Sequence, residues 1–332
     1  MLIIEKKKIE ELKKKLSEKN NLIDTRKDVL PFKQYFFPPS EETFVFDKES
    51  RRLRVGTSTG ASGKNSFILF GLNLRETEAL IQLDEIMKKD FFYCQKRNAA
   101  TIVSITEEDG PLYHVGIDLI LEALRQDSGQ EIYKAHCMTK KGQKIIRSKL
   151  FKEVSGNQYA NNQTKQEIMP ELRKLLLNPE LLKNAVEWSW NPSTDSGQDK
   201  IWDSLAKKCL GCGICTYVCP LCHCFSTEDR RSLDGAECSK TRRWAACTLP
   251  EFSRIAGGLP IGRQGHNFHP TLKERYYNWF YHKFVRAYNE YGKSQCVACG
   301  KCKKNCPAGI SIEEILVKIV EKYGEFLSAK TS

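Results

Sequence analysis

One run of four cysteines, repeated later in the chain at identical spacing, constrains this sequence more than any other feature. The first copy is Cys209-x2-Cys212-x2-Cys215-x3-Cys219-Pro220 and the second is Cys296-x2-Cys299-x2-Cys302-x3-Cys306-Pro307. Three thiolates on a tight turn cap three irons of a cube, and the small residues Gly211, Gly213, Ala298 and Gly300 let backbone amides approach the sulfurs. The proline ends each turn and directs the fourth cysteine away from its own triplet. In doubled runs of this spacing the fourth cysteine ligates the other cluster. The expected ligand sets are therefore Cys209, Cys212, Cys215 and Cys306 for one [4Fe–4S] cluster, and Cys296, Cys299, Cys302 and Cys219 for the other. A pair of zinc sites is the competing reading. Zinc knuckles use two CxxC pairs, and the doubled run with its prolines does not need that explanation.

Twelve of the 14 cysteines fall between Cys209 and Cys306, so a cysteine-rich domain is expected from about residue 200 onward. Cys222, Cys224, Cys238 and Cys247 are enough to hold a third cluster, or else pack as small buried hydrophobes around the first two. Cys94 and Cys137 are read as structural. The histidines of this half, His223, His266, His269 and His282, are read as loop or helix packing, with hydrogen bonding to a cluster sulfur as the alternative. Fourteen cysteines in a chain of 332 residues also bear on its compartment. The N-terminus MLIIEKKKIEELKKK becomes charged too early for a signal-peptide core, and no apolar run approaches the length of a membrane span. A cytoplasmic protein is expected, where cysteines serve metal or redox chemistry rather than a disulfide framework.

Four segments are expected: an N-terminal basic helix over 1–30, a small α/β domain over 31–160, a helical connector and linker over 161–199, and a mainly helical domain over 200–332. The fold class is α+β. Ile9, Leu12 and Leu16 recur at helical spacing in the first segment, which reads as a solvated helix with one docking stripe rather than a nucleic-acid arm. Ser66–Gly71 and Thr101–Thr106 read as strands, and Arg75–Met87 and Gly116–Gln126 as helices. Thr43–Phe46 alternates after Phe36-Phe37-Pro38-Pro39, and Gly56–Gly63 is a loop. The connector is interrupted at Pro170 and Pro179, and Pro192–Asp199 is the linker. Thr271–Tyr288 is the clearest helix. Its stripe of Leu272, Tyr276, Trp279, Phe280, Phe284 and Tyr288 reads as core first and as a cofactor-facing surface second.

There is no GxGxxG fingerprint, phosphate loop, Ser–His–Asp order, pair of catalytic carboxylates or radical-type CxxxCxxC. No catalytic residue is assigned, and the chain is expected to be a non-catalytic redox protein. The formal charge of +12 and the run Arg275-Tyr276-Tyr277 support one alternative, a metal-stapled basic module on nucleic acid, but no long basic run accompanies them. Lys207, Lys208, Lys301, Lys303 and Lys304 lie near the cysteine runs. They serve either to favour the reduced clusters or, as the simpler reading, to dock an acidic partner.

The cysteine-rich half resembles the beta (iron–sulfur) subunits of soluble NAD(P)-linked nickel–iron hydrogenases, the sulfhydrogenases, and the iron–sulfur A subunit of anaerobic sulfite reductase. The resemblance rests on Trp202-Asp203, CLGCGICTYVCPLCHCF, Leu233-Asp234-Gly235, RRWAAC ending at Cys247, Ala256-Gly257-Gly258, HNFHPT over His266–Thr271, and CVACGKCKKNCPAGISI. A weaker echo runs through FFPPSEETFVFD, FILFGL and LIQLDEIM. The resemblance implies a ferredoxin-like dicluster domain in a dedicated electron-transfer subunit. Its partners would be a flavin subunit that handles NAD(P)H and a catalytic redox subunit, with no membrane or nucleic acid. This chain has Asn73-Leu74-Arg75-Glu76 where the relatives carry Ala-Cys-Asp, lacks their later cysteine group around Ile105–Gly110, and inserts Leu259–Gly265. These departures leave the acceptor open among a hydrogenase, a sulfite reductase and a heterodisulfide-reductase-type enzyme.

Overall fold

Phe67–Leu72 is apolar throughout and Ala100–Thr106 carries Ile102, Val103 and Ile105 between small polar residues, and the computed structural model pairs them as parallel strands buried on both faces. A parallel strand covered by helices on both sides calls for such a continuous apolar run rather than alternation. The structure describes residues 1–55, 66–107, 115–126, 131–154, 159–161, 168–190, 199–254 and 265–331. The loop Gly56–Gly63 lies outside these. So do all but the last residue of the linker Pro192–Asp199 and of the insertion Leu259–Gly265. The chain forms two compact units, Met1–Glu167 with Asp229–Thr241, and Ile168–Glu228 with Arg242–Ser332. With a mixed sheet in one and mainly helices in the other, the architecture is α+β.

The first unit is built on an eight-stranded sheet. Its order is Asn21–Asp24, Phe67–Leu72, Ala100–Thr106, Leu119–Gln126, Glu131–Cys137, Leu2–Glu5 and Lys152–Glu153, with Tyr159–Asn161 also against Leu119–Gln126. The first four strands run parallel, and the remaining pairings are antiparallel. Residues 1–20 therefore do more than form a basic helix. Leu2–Glu5 joins this sheet, and only Ile9–Ser17 is α-helical, with Ile9 and Leu12 in the core. The segment Gly116–Gln126, expected as a helix, is instead the strand Leu119–Gln126. Ile117, Ile120, Leu121 and Leu124 fit a helical period, but ladders on both edges bury consecutive residues of a central strand just as well. The helix Leu74–Met87 begins at the segment Asn73-Leu74-Arg75-Glu76. The Asn73 side chain accepts from the Glu76 amide at 2.9 Å and the Glu76 carboxylate accepts from the Asn73 amide, a reciprocal cap. A second sheet places the hairpin Phe225–Arg231 and Glu237–Trp244 beside Ser40–Asp47 and Arg52–Val55.

In the second unit Pro170 and Pro179 start the helices Pro170–Leu176 and Pro179–Trp188 rather than interrupting one. A first-turn proline loses no helical hydrogen bond, because its missing N–H would have had no partner there. These helices pack with Asp199–Lys208 and the C-terminal helix Ile312–Thr331 around Trp202, Trp279, Phe280 and Phe284. Tyr276, Trp279, Phe280 and Phe284 of the aromatic stripe are core, and its ends Leu272 and Tyr288 are half-buried outside that cluster. Its helix is not uniform. Leu272–Phe280 is α-helical, Tyr281–Arg286 is a π-helical turn, and Ala287–Tyr291 resumes the α-helix. Among the described residues no helix is long and apolar enough to cross a membrane.

Candidate iron–sulfur centres

The two cysteine runs fold alike. Gly211 and Gly213 in the first, and Ala298 and Gly300 in the second, all take left-handed backbone angles, with φ of +65°, +75°, +53° and +71°. Each run then enters a one-turn helix, Ile214–Tyr217 or Lys301–Lys304, which carries its third cysteine inward. The left-handed pairs bend the chain so that amides face sulfur. The Gly211 amide donates to Cys209 Sγ at 3.4 Å, and the Ile310 amide to Cys306 Sγ at 3.4 Å. Gln295, just before the second run, donates from Nε2 to the Leu221 carbonyl just after the first, at 2.8 Å. That bond ties the two loops together.

Cys209, Cys212, Cys215 and Cys306 line one cavity, with Tyr276, Trp279 and Thr248 on its walls. Cys306 comes from the other run, so the chain brings together the four thiols expected of the first set. Burial pushes the Cys215 thiol up to about 12, and the neighbouring Cys209 adds to this. Cys219, Cys296, Cys299 and Cys302 form a second mutually interacting group. Burial raises the Cys299 thiol to about 12, with Cys219 and Cys296 contributing, and Cys302 is raised by burial and by the same two neighbours. Cys302 also stands on the wall of the first cavity, so the quartets adjoin.

The residues present suit iron–sulfur cubes. Besides two groups of four soft thiol donors, the Trp279 indole Nε1 and the Thr248 hydroxyl on the first cavity's walls are buried without a hydrogen-bond partner. Buried donors of this kind carry a desolvation cost that inorganic sulfide or thiolate acceptors would remove. At the second group the Lys283 Nζ donates to Cys219 Sγ at 3.2 Å and to the Gln295 carbonyl at 3.3 Å. Burial alone would strip its proton, but Cys219, Cys222 and Cys296 outweigh that and hold the amine charged. Lys283 is the cation that sequence reading missed. The lysines singled out from the sequence differ from it: Lys207, Lys208, Lys303 and Lys304 are exposed and Lys301 is half-buried.

The four remaining cysteines do not come together as one group. Cys238 sits on the hairpin strand Glu237–Trp244, in the part assigned to the first unit. Cys222, Cys224 and Cys247 line a second cavity with His282, which takes the place expected of Cys238. Cys224 Sγ lies 3.6 Å from Cys247 Sγ, which lies 3.5 Å from His282 Nδ1. The Cys247 thiol donating to Cys224, helped by His282, lowers the Cys224 thiol to about 4. His282 is therefore more than packing, although no motif in the sequence marks it.

Comparison with known proteins agrees with this donor chemistry. Residues 208–310 match the 4Fe-4S dicluster domain family. The chain is an iron–sulfur protein of the electron-transfer class. It is 26% identical over 314 residues to the Sulfhydrogenase 2 subunit beta of Pyrococcus furiosus, covering 90% of this chain and 85% of that protein. Most of the chain is thus similar to a hydrogenase beta subunit, and residues 208–310 to a 4Fe-4S dicluster domain. No solved structure matches it.

Proposed function

We propose that the chain is the electron-relay subunit of a multi-subunit cytoplasmic oxidoreductase. Cys209, Cys212, Cys215 and Cys306 hold one [4Fe–4S] cluster, and Cys296, Cys299, Cys302 and Cys219 hold the other. The observation that supports this reading most is that Cys306 lines the cavity of Cys209, Cys212 and Cys215 while Cys219 interacts with Cys299 and Cys302, between two runs of matching backbone. Bound, each cube supplies a one-electron carrier whose charge is spread over four irons. The chain's own residues set the conditions for that carrier. Tyr276 and Trp279 keep water away from the cysteine cavity, the Gly211 amide donates to Cys209 Sγ, and Lys283 opposes the negative charge of the second quartet.

The relay reading places this chain between a flavin subunit that handles NAD(P)H and a catalytic redox subunit of hydrogenase, sulfite reductase or heterodisulfide-reductase type. Support comes from the similarity to a sulfhydrogenase beta subunit across both units. The lysines Lys200, Lys208, Lys318 and Lys322 line a groove with Ala308–Ser311, just beyond Cys306, and offer a basic face to an acidic partner. The test is anaerobic purification with assays of iron, acid-labile sulfide and zinc, and low-temperature EPR after dithionite. About eight irons and eight sulfides with a reduced-cluster signal are expected. Zinc in place of iron and sulfide would sink the reading.

A further inference from the structure

We infer that Cys224, Cys247 and His282, with Cys222 as fourth donor, hold a single zinc-class ion separate from the two clusters. The three donor atoms all lie within 4.8 Å of one another. For a tetrahedral ion with Zn–S near 2.3 Å and Zn–N near 2.0 Å, sulfurs stand about 3.8 Å apart and sulfur and nitrogen about 3.5 Å apart. The Cys224–Cys247 separation of 3.6 Å and the Cys247–His282 separation of 3.5 Å match that geometry. Thiolates on a four-iron cube end on different irons and stand much further apart, so a third cluster suits these atoms poorly. Mixed sulfur and imidazole donors in a buried setting are a combination that zinc accepts readily.

Cys222 completes the set. It is buried on the wall of the same cavity, and only His223 separates it from Cys224. Its thiol turns toward Cys219 here, and a rotation about its side chain redirects it to the ion. The ion would join three segments: the loop after Cys219-Pro220 and the segment ending RRWAAC, which already share the Ala245 amide to Cys224 carbonyl bond at 2.9 Å, and the π turn. The residue after His282 on that turn is Lys283, whose amine contacts Cys219. The site therefore fixes the cation against the second quartet.

The test uses the full-length protein, purified without oxygen from cells supplied with both iron and zinc. Zinc, iron and sulfide are quantified, and X-ray absorption is recorded at the zinc edge, where iron does not interfere. About one zinc per chain is expected, in a mixed shell of sulfur near 2.3 Å and nitrogen near 2.0 Å. In Cys247→Ser and His282→Ala, zinc should fall at least tenfold while iron and sulfide stay at the wild-type level. Absence of zinc, zinc retained in both variants, or about four extra irons with matching sulfide would each overturn the site. So would an all-sulfur zinc shell, the mark of zinc mis-loaded into the cluster quartets. If both variants fail to fold, the wild-type absorption shell alone decides. Failure of the relay reading would appear separately, in the iron and sulfide counts.

Discussion

Ala298 explains what its counterpart Gly211 is for. Both sit between the first two cysteines of their runs with left-handed backbones, and Ala298 shows that a Cβ fits there. An alanine at Gly211 would meet nothing closer than Leu272 Cδ1 at 3.5 Å, so Gly211→Ala costs only the left-handed penalty, about 1 kcal/mol, and keeps its iron. Ala298→Gly should gain a similar amount. Gly213 differs, because an added Cβ would stand 2.8 Å from the Ala246 Cβ, backed by the Tyr217 ring. Gly213→Ala therefore combines strain with overpacking, about 3 kcal/mol, and should lose the iron of the first quartet. Thermal unfolding and iron assay of the three variants check this order. Lys283 makes a second prediction. A cation beside a cluster stabilises its more negative, reduced form, so Lys283→Met should lower one midpoint potential. At an effective dielectric constant near 20 the loss is roughly 2 kcal/mol, on the order of 90 mV for one electron. Redox titration followed by EPR should show one cluster shifted down and the other nearly unmoved. An unshifted pair would remove Lys283 from the account.

At the scale of elements, the helix Leu272–Phe280 and its π turn organise the second unit. Thr271 and Glu274 cap it reciprocally, with the Glu274 amide donating to Thr271 Oγ1 at 3.2 Å and the Thr271 amide to Glu274 at 2.7 Å. Thr271→Ala should cost about 1 kcal/mol, read as a lowered unfolding midpoint with iron content unchanged. The grouping of the eight motif cysteines into two quartets was legible because they come in two short runs, where spacing alone carries the geometry. His282 and Lys283 were not. They come from a helix that looks regular in sequence, and a π turn widens it so that these neighbours reach Cys247 and Cys219. Nothing in the local pattern of YHKFVR announces that widening. The strand Leu119–Gln126 was illegible for another reason. Ile117, Ile120, Leu121 and Leu124 fit a helical period, and only the pairing with Ala100–Thr106 and Glu131–Cys137 decides for a strand. The reciprocal caps at Asn73 and Thr271 were legible in principle, since each is a capping residue followed three positions later by glutamate.

Across the whole molecule the charge of +12 takes a different meaning once the cysteines have a role. From Cys209 to the end there are 18 Lys and Arg against 11 Asp and Glu, so more than half the excess surrounds the quartets. A four-iron cube with four thiolates carries about −2 in its oxidised state, and the two proposed cubes would bring the formal total from +12 to about +8. On the proposed relay reading, the basic balance would offset buried anions and supply a docking face. A measurable sign follows. With the iron removed, Cys215 and Cys299 are neutral thiols at pH 7, because burial holds them protonated. The metal-free chain should therefore focus at a higher pH than the loaded chain, and bind a cation exchanger more tightly at pH 7. Unfolding on iron loss would not reverse that order, since the formal charge comes from composition. A loaded chain that focuses at the same pH as the metal-free one would mean that the cysteines carry no anionic clusters.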